Sequence, residues 1–557
     1  MSKTAYLFET SQIQRFIFEG GKLRDMVAAS DQLDSLCGDP LSQVLETCGL
    51  VEDENIWFSR KSGGAIYAIL NNEEKARELQ SLWSFYVRKH FPGIRIVQVI
   101  KTAESIEKAM KLALESMLQS RNLIQAQYPV PGPLMRRSPR TGEAVVKWDS
   151  SRKEWIDESI RLKRFGVKPH SSLVKKFTPD NQPYREHAWP VNFEPSEGAF
   201  PFLNEDRTIA LIHADGNGLG ELLIVLGKVA AAASKSADDE FLYINLFRKF
   251  SNAIEASTQA AAKDAMQTLF DMLPENTAEH SVIPARPLVL GGDDLTILIR
   301  ADLALPFTVK FCEAFSEHTE KELAGLYADA QKYLNDAQAS GEKQAYNLNR
   351  LKKLTACAGV AFIKANQPFM QAYYLAESLC EEAKNQSRSV LSAENTHDLI
   401  PASLAFHKVS AALIEPVSAV RRHEWQVEVN RQPCELAMGV YGLHCDLPDF
   451  YTLQNLANLF GDSKLNRAGL RQVATLLKED PDKAQMRYAR WRDIEAAKKD
   501  DSGKSYLDQY DTMLATLCDI EQNDKIPFDK SSGKSPLIDL LLLINLAIDP
   551  RNQEAAS

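Results

Sequence analysis

Apolar positions along the chain follow two alternating rhythms: short β-type runs, and longer stretches with apolar residues three and four apart. In the first 125 residues the order reads β-α-β-α-β-α. Ala5 to Phe8 is a short strand, and Gln12 to Cys37 is helical. Strand Ala65 to Leu70 follows the turn Lys61-Ser62-Gly63-Gly64, and helix Glu73 to His90, strand Ile94 to Ile100 and helix Ser105 to Arg121 complete the set. Residues 205 to 390 repeat this order. A nearly continuous apolar strand, Thr208 to Ala214, meets a glycine-rich turn and a helix start at Glu221 to Leu226. A long amphipathic helix follows, from about Glu240 to Leu269, with Phe247, Phe250 and Ile254 on one face. Next come the hairpin Leu288 to Ile299, a helix from Ala304 towards Leu334, strand Thr355 to Ile363, helix Gln371 to Asn385 and strand Ser403 to Val409. The repetition predicts an α+β chain built on an internal duplication of a ferredoxin-like unit; two unrelated units of this common fold are the alternative.

The remaining stretches set the domain limits. Residues 150 to 205 carry Pro169, Pro179, Pro183, Pro190, Pro195 and Pro201 and predict an irregular connector. Residues 415 to 557 read as mostly helical, with helices at Leu453 to Phe460, Ala468 to Leu477, Asp482 to Ala496 and Leu507 to Cys518. The expected domains are therefore 1–125, 126–204, 205–412 and 413–557. Asn335 to Arg350 is a polar insertion inside the third.

The second unit carries chemistry that the first lacks. Its hairpin joins two apolar strands through Gly291-Gly292-Asp293-Asp294, which places two adjacent carboxylates at a fixed sheet edge. Two neighbouring negative charges there are costly unless neutralised, and a divalent metal is the usual answer. A plain β-turn with solvated acids is the alternative. A third acid, Asp215, ends strand Thr208 to Ala214 and opens the turn Gly216-Asn217-Gly218-Leu219-Gly220 before a helix. Such a turn aims backbone N–H groups and the positive helix end at phosphate, while Asp215 is placed to share a metal with Asp293 and Asp294. In the first unit Ser62-Gly63-Gly64-Ala65 keeps the glycine turn without the acids.

Composition narrows the class. With 557 residues, 44% hydrophobic and 25% charged, the chain reads as a globular protein of several domains. A net charge of -10 gives no global basic field for nucleic acid. Eight cysteines without a C-x-x-C pair suit reduced cytoplasmic thiols rather than a disulfide framework or a zinc site. The longest apolar run, Leu537 to Ala547, is too short for a membrane span.

The ordered motifs Asp215-Gly216-Asn217-Gly218-Leu219-Gly220, Gly291-Gly292-Asp293-Asp294, the strand around Gly359, Ala376-Glu377 and Ala383-Lys384 resemble the palm domain of the large subunit of type III CRISPR effector complexes. That family is itself similar to GGDEF diguanylate cyclases and nucleotidyltransferase palms. The resemblance covers nearly the whole chain and includes Ser11 to Ile17 and Lys22 to Ser30 at the opening of a first, degenerate palm.

The resemblance implies two palms and a helical C-terminal domain, with ATP converted to cyclic oligoadenylate messengers. Asp215, Asp293 and Asp294 would hold Mg²⁺ or Mn²⁺. Asn217, Gly218, Gly220, Gly291, Gly292 and Lys384 would contact the nucleotide, and Gly63 and Gly64 a second one. Expected partners are the other effector subunits, guide RNA and target RNA, in the cytoplasm and without a membrane. Three departures qualify it. The variant is expected to lack the N-terminal HD nuclease, and His397-Asp398 is taken as a chance dipeptide. The insert Pro133 to Val145 has no cysteine, so no zinc is expected there; its Arg136, Arg137 and Arg140 face RNA, an acidic partner or solvent. Asn217 stands where many members have an acid, which removes a charge from the metal's surroundings. A scaffold that has lost activity and a stand-alone GGDEF-like cyclase are the competing readings. The intact acids speak against the first, and Gly-Gly-Asp-Asp with a duplicated palm and helical tail speaks against the second.

Overall fold

The computed structural model describes residues 2–123, 131–166, 172–182, 188–194, 199–203, 205–233, 240–273, 282–339, 348–391, 399–410, 414–429, 431–461, 464–520 and 525–546. The dipeptide His397-Asp398 and residues 340–347 of the polar insertion lie outside them.

The first unit contains β1 (Lys3–Ser11), α1 (Ile13–Phe18), α2 (Leu23–Ser35), α3 (Asp39–Thr47), β2 (Ile56–Ser62), β3 (Ala65–Leu70), α4 (Glu73–His90), β4 (Arg95–Ala103) and α5 (Ile106–Arg121). Its sheet is antiparallel in the order β2-β3-β1-β4, the ferredoxin-like arrangement. Two expectations are corrected here. The single helix Gln12 to Cys37 is split between Phe18 and Leu23, across Gly20-Gly21, where Gly21 has φ +63°. Strand β2 was not foreseen, because Ile56-Trp57-Phe58-Ser59-Arg60-Lys61-Ser62 has no clean alternation and becomes a strand only by pairing with β3.

The connector is more ordered than its prolines predict. It forms a hairpin, β5 (Val145–Asp149) with β6 (Glu154–Asp157), then α6 (Glu158–Phe165) and α7 (Ser172–Phe177). Buried Arg164 fastens it to the first unit: Nη2 donates to Asp25 at 2.6 Å, and Nη1 donates to Asp149 at 2.7 Å and Glu154 at 2.8 Å. One guanidinium satisfying three acids gives this short-stranded segment a polar core.

The second unit runs β7 (Thr208–Gly216), α8 (Leu219–Ala233), α9 (Leu242–Asp271), β8 (Ala285–Gly291), β9 (Asp294–Arg300), α10 (Ala304–Ala339), β10 (Ala356–Lys364), α11 (Phe369–Ser389) and β11 (Ser403–Lys408). Its central order β10-β7-β9-β8 repeats that of the first sheet, strand for strand. After the small hairpin β12 (Gln426–Val429) with β13 (Gln432–Glu435), β14 (Val440–Gly442) pairs with β11 as the edge of the six-stranded sheet. Part of the segment after residue 412 thus completes the second sheet, since β11 would otherwise leave an unpaired edge. Helices α12 (Phe450–Asn458), α13 (Arg467–Leu477), α14 (Pro481–Glu495), α15 (Tyr506–Leu517) and α16 (Leu537–Leu546) form the remainder. Among the described residues no helix is long and apolar enough to cross a membrane.

Alternation along β7 decides what each sheet face meets. Ala210, Ile212 and Ala214 join the core under α8, α9 and α10. Ile209 and Leu211 point the other way, into a core shared with α11 and with Tyr6, Phe8, Phe16 and Phe18 of the first unit. The two units thus share an apolar interior and pack with their glycine hairpins together: a Cβ added at Gly291 would lie 3.5 Å from the Cα of Gly63.

Candidate metal and nucleotide site

Strand register assembles the acids. β7 and β9 are antiparallel with Ala214 opposite Leu295, so one step further along Asp215 faces Asp294. Gly291 pairs with Asp294, which leaves Gly292-Asp293 as the two-residue turn. Gly292 takes φ +61°, a conformation open to glycine at no steric cost, and the Thr258 hydroxyl on α9 donates to its carbonyl at 2.7 Å. The ligand oxygens of Asp215, Asp293 and Asp294 all lie within 4.8 Å of one another, and all three residues are half-buried. This is the cluster among the described residues in which acidic, His or Cys side chains could hold a metal ion.

Lys384 is the cation beside them. It lies on α11, off the apolar stripe that seats this helix, and its ammonium is ion-paired to Asp215 and donates to the Gly216 carbonyl at 3.0 Å. The helix comes this close because Gly359 on β10 has no side chain: a Cβ there would lie 1.9 Å from the Ala376 carbonyl oxygen. Burial disfavours charge on Asp215, but the Lys384 ammonium and hydrogen bonds from the neighbouring acids outweigh it and lower its pKa. Burial, and then the charge on Asp215, push Asp293 up; burial, followed by the Asp293 and Asp215 charges, pushes Asp294 up. Three carboxylates against one ammonium leave an acidic oxygen-only set short of positive charge, and that donor chemistry suits a hard divalent cation such as Mg²⁺ or Mn²⁺.

Asn217 is buried; its Nδ2 donates to Thr355 Oγ1 at 2.9 Å and towards Pro401 O at 3.4 Å, and its backbone N–H donates to Thr355 O at 2.8 Å. The side-chain amide therefore braces the turn against β10, and Oδ1 has no partner. Gly218 has φ +77°, and a Cβ at Gly220 or Gly292 would meet nothing within 4 Å, so the turns are open on that side.

In the first unit the turn is Gly63-Gly64, between paired Ser62 and Ala65. By their pairing the two hairpins correspond with Gly64 at the place of Asp293 and Ala65 at that of Asp294. Gly64 is tied down, since Thr10 N–H donates to its carbonyl at 2.9 Å and a Cβ on it would lie 2.2 Å from Thr10 Oγ1.

Sequence reasoning missed several neighbours of the acids. Gly216 makes room for Asp293, as its Cβ would lie 2.9 Å from that of Asp293. His213, two residues before Asp215 and so on the same face, approaches Thr296 Oγ1 at 3.3 Å, and burial lowers its pKa to about 4. Tyr373 stacks edge-on against His213, and its hydroxyl donates to Glu377 at 3.2 Å. The strand period was a usable signal for His213, and the glycine-rich turn marked Gly216 without its role beside Asp293; nothing in the sequence marked Tyr373.

No protein-family model and no curated protein sequence matches the chain. Solved structures do. The Csm1–Csm4 cassette in complex with pppApA aligns over 98% of this chain and 69% of that one, with a TM-score of 0.50 and 12% identity. The chain has the fold of Csm1. Csm1 in T. onnurineus, at 13% identity and TM-score 0.43, and the cassette in complex with AMPPNP, at 12% and 0.46, each align over 97% of this chain. The Csm1 fold agrees with the α+β class read from the sequence, with paired palms and a helical domain.

Proposed function

We propose that the chain is the large subunit of a type III CRISPR effector complex and joins ATP into cyclic oligoadenylates. The observation that carries this reading is the placement of Asp215, Asp293 and Asp294 with ligand oxygens within 4.8 Å, on neighbouring strand ends of a palm whose glycine hairpin meets that of a second palm. The structural neighbour crystallised with Csm4 and pppApA supports the same classes of partner and ligand, an effector subunit and an oligoadenylate. Guide and target RNA would be met through such a complex, in the cytoplasm.

Asp215 and Asp294 would hold a nucleotide-associated Mg²⁺ or Mn²⁺, with Asp293 directed to a second ion. Bound there, the metal supplies Lewis acidity for a 3′-hydroxyl attacking an α-phosphate and for the departing pyrophosphate. The chain's own residues arrange the rest. The hairpin and β7 hold the carboxylates in place before nucleotide arrives, so little reorganisation remains. Lys384 keeps Asp215 ionised. The turns, open at Gly220 and Gly292, would let phosphates approach backbone N–H groups along Gly218 to Gly220 and Gly291 to Gly292, and the Gly63-Gly64 turn of the facing hairpin would meet a second nucleotide.

The test is Asp293→Ala with Asp294→Ala in the assembled complex. Pyrophosphate release from ATP is expected to vanish while the melting temperature holds or rises, because two mutually repelling carboxyls are removed from a turn. Pyrophosphate release persisting in the double variant would overturn the reading.

A further inference from the structure

A bound triphosphate needs a cation of its own, and Lys384 is already committed to Asp215 and the Gly216 carbonyl. A second cation reaches the same turn from another element. Arg350, in a short 3₁₀ turn, Asn349–Leu351, just before β10, has its Nη1 4.0 Å from where a Gly218 Cβ would stand. The same Nη1 is ion-paired to Glu221 in the first turn of α8. The two partners differ in setting: the Arg350 side chain is 19% exposed, whereas that of Glu221 is 55% exposed. Beside them, at Gly220, the turn surface is open.

We propose that Arg350 is a phosphate-contacting residue of the nucleotide site, and that Glu221 is the anion which the phosphate tail replaces on its guanidinium. This rests on the reading of the site given above. The geometry favours the exchange. A guanidinium offers paired donors that match phosphate oxygens, and a polyphosphate brings more charge than one carboxylate. Glu221 gives up a partly exposed pair of small worth, and it remains stabilised by the positive end of α8. The arrangement makes the site selective for the phosphate tail: Arg350 discriminates triphosphate from monophosphate, while Glu221 sets the threshold.

The experiment is equilibrium binding of α,β-methylene ATP and of AMP, each with Mg²⁺, to the full chain and to Arg350→Gln, Glu221→Gln and the double variant. Arg350→Gln is expected to weaken the triphosphate about ten-fold or more and leave AMP unchanged. Glu221→Gln should tighten the triphosphate by roughly two- to five-fold, and the double variant should match Arg350→Gln. If the unaltered chain binds neither nucleotide, the proposed function itself fails. If it binds and Arg350→Gln binds equally well, this inference fails. It also fails if both single variants weaken triphosphate and AMP alike, since the pair would then only brace the turn.

Discussion

The carboxylate of Asp293 occupies the space that a side chain on residue 216 would fill. A Cβ at Gly216 would lie 2.9 Å from Asp293 Cβ, 3.0 Å from its Oδ2 and 2.8 Å from Leu219 Cδ1. Gly216→Ala is therefore expected to push Asp293 off its position while leaving every acid in the sequence. Mn²⁺ affinity, followed by electron paramagnetic resonance, should fall about ten-fold, in the range seen when groups supporting a metal ligand are lost. The accompanying loss of stability should be only about 1–3 kcal/mol, as for ordinary overpacking. Unchanged Mn²⁺ binding would show that Asp293 is not a ligand.

Lys384→Met keeps the length and apolar stem of the side chain and removes the ammonium. Asp215 then loses the counter-charge that holds its pKa down. At pH 7 without metal, the variant should unfold about 1–2 kcal/mol more easily, less than for a fully buried pair because both side chains keep some contact with water. The sign with pH follows. A carboxyl whose folded pKa is lowered contributes stability above its unfolded value, near 4, and that contribution disappears as pH falls. The gap between variant and parent should accordingly close in acid, and Mg²⁺ should raise the variant's melting temperature more than the parent's.

Gly359→Ala tests what brings Lys384 to the acids. The added methyl would meet the Ala376 carbonyl at 1.9 Å and the Cys380 N–H nitrogen at 2.5 Å, both backbone atoms that cannot move without the helix. Displacing α11 should cost at least about 3 kcal/mol in urea unfolding, the upper end of overpacking penalties. A well-folded Gly359→Ala with unaltered stability would contradict the close approach of α11 to β10.

Far from the acids, Asp539 on α16 is buried and accepts from Tyr441 Oη at 2.7 Å and Met438 N at 2.8 Å. Burial raises its pKa to about 7 in spite of these bonds. An acid held neutral in the fold gives stability below its unfolded pKa, near 4, which is lost as pH rises towards 7. Parent stability should thus decline by up to about 4 kcal/mol across that window from this group. Asp539→Asn should remove this group's share of the slope, read as the difference between parent and variant in urea titrations at pH 4.5, 5.5 and 7.

Much of this architecture is local and so was written in the sequence. Apolar periodicity set out the helices and most of the strands in both halves, and the run Leu288 to Ile299 with Gly291-Gly292-Asp293-Asp294 specified a hairpin with acids at its tip. Asp215 at the end of an apolar run was equally legible. What the sequence left open depends on pairing between distant segments. The register of β7 on β9 brings Asp215 opposite Asp294, and the packing of α11 over Gly359 delivers Lys384 to Asp215 across 169 positions of chain. Strands β2 and β14 and the Arg164 cluster exist only because a partner strand or three separate acids meet them. That the Asn217 amide donates to Thr355 and towards Pro401 is likewise a contact between distant segments. Periodicity encodes which face of an element is apolar; which element covers that face, and which charge then stands beside which, is decided by burial and hydrogen bonding in the assembled fold.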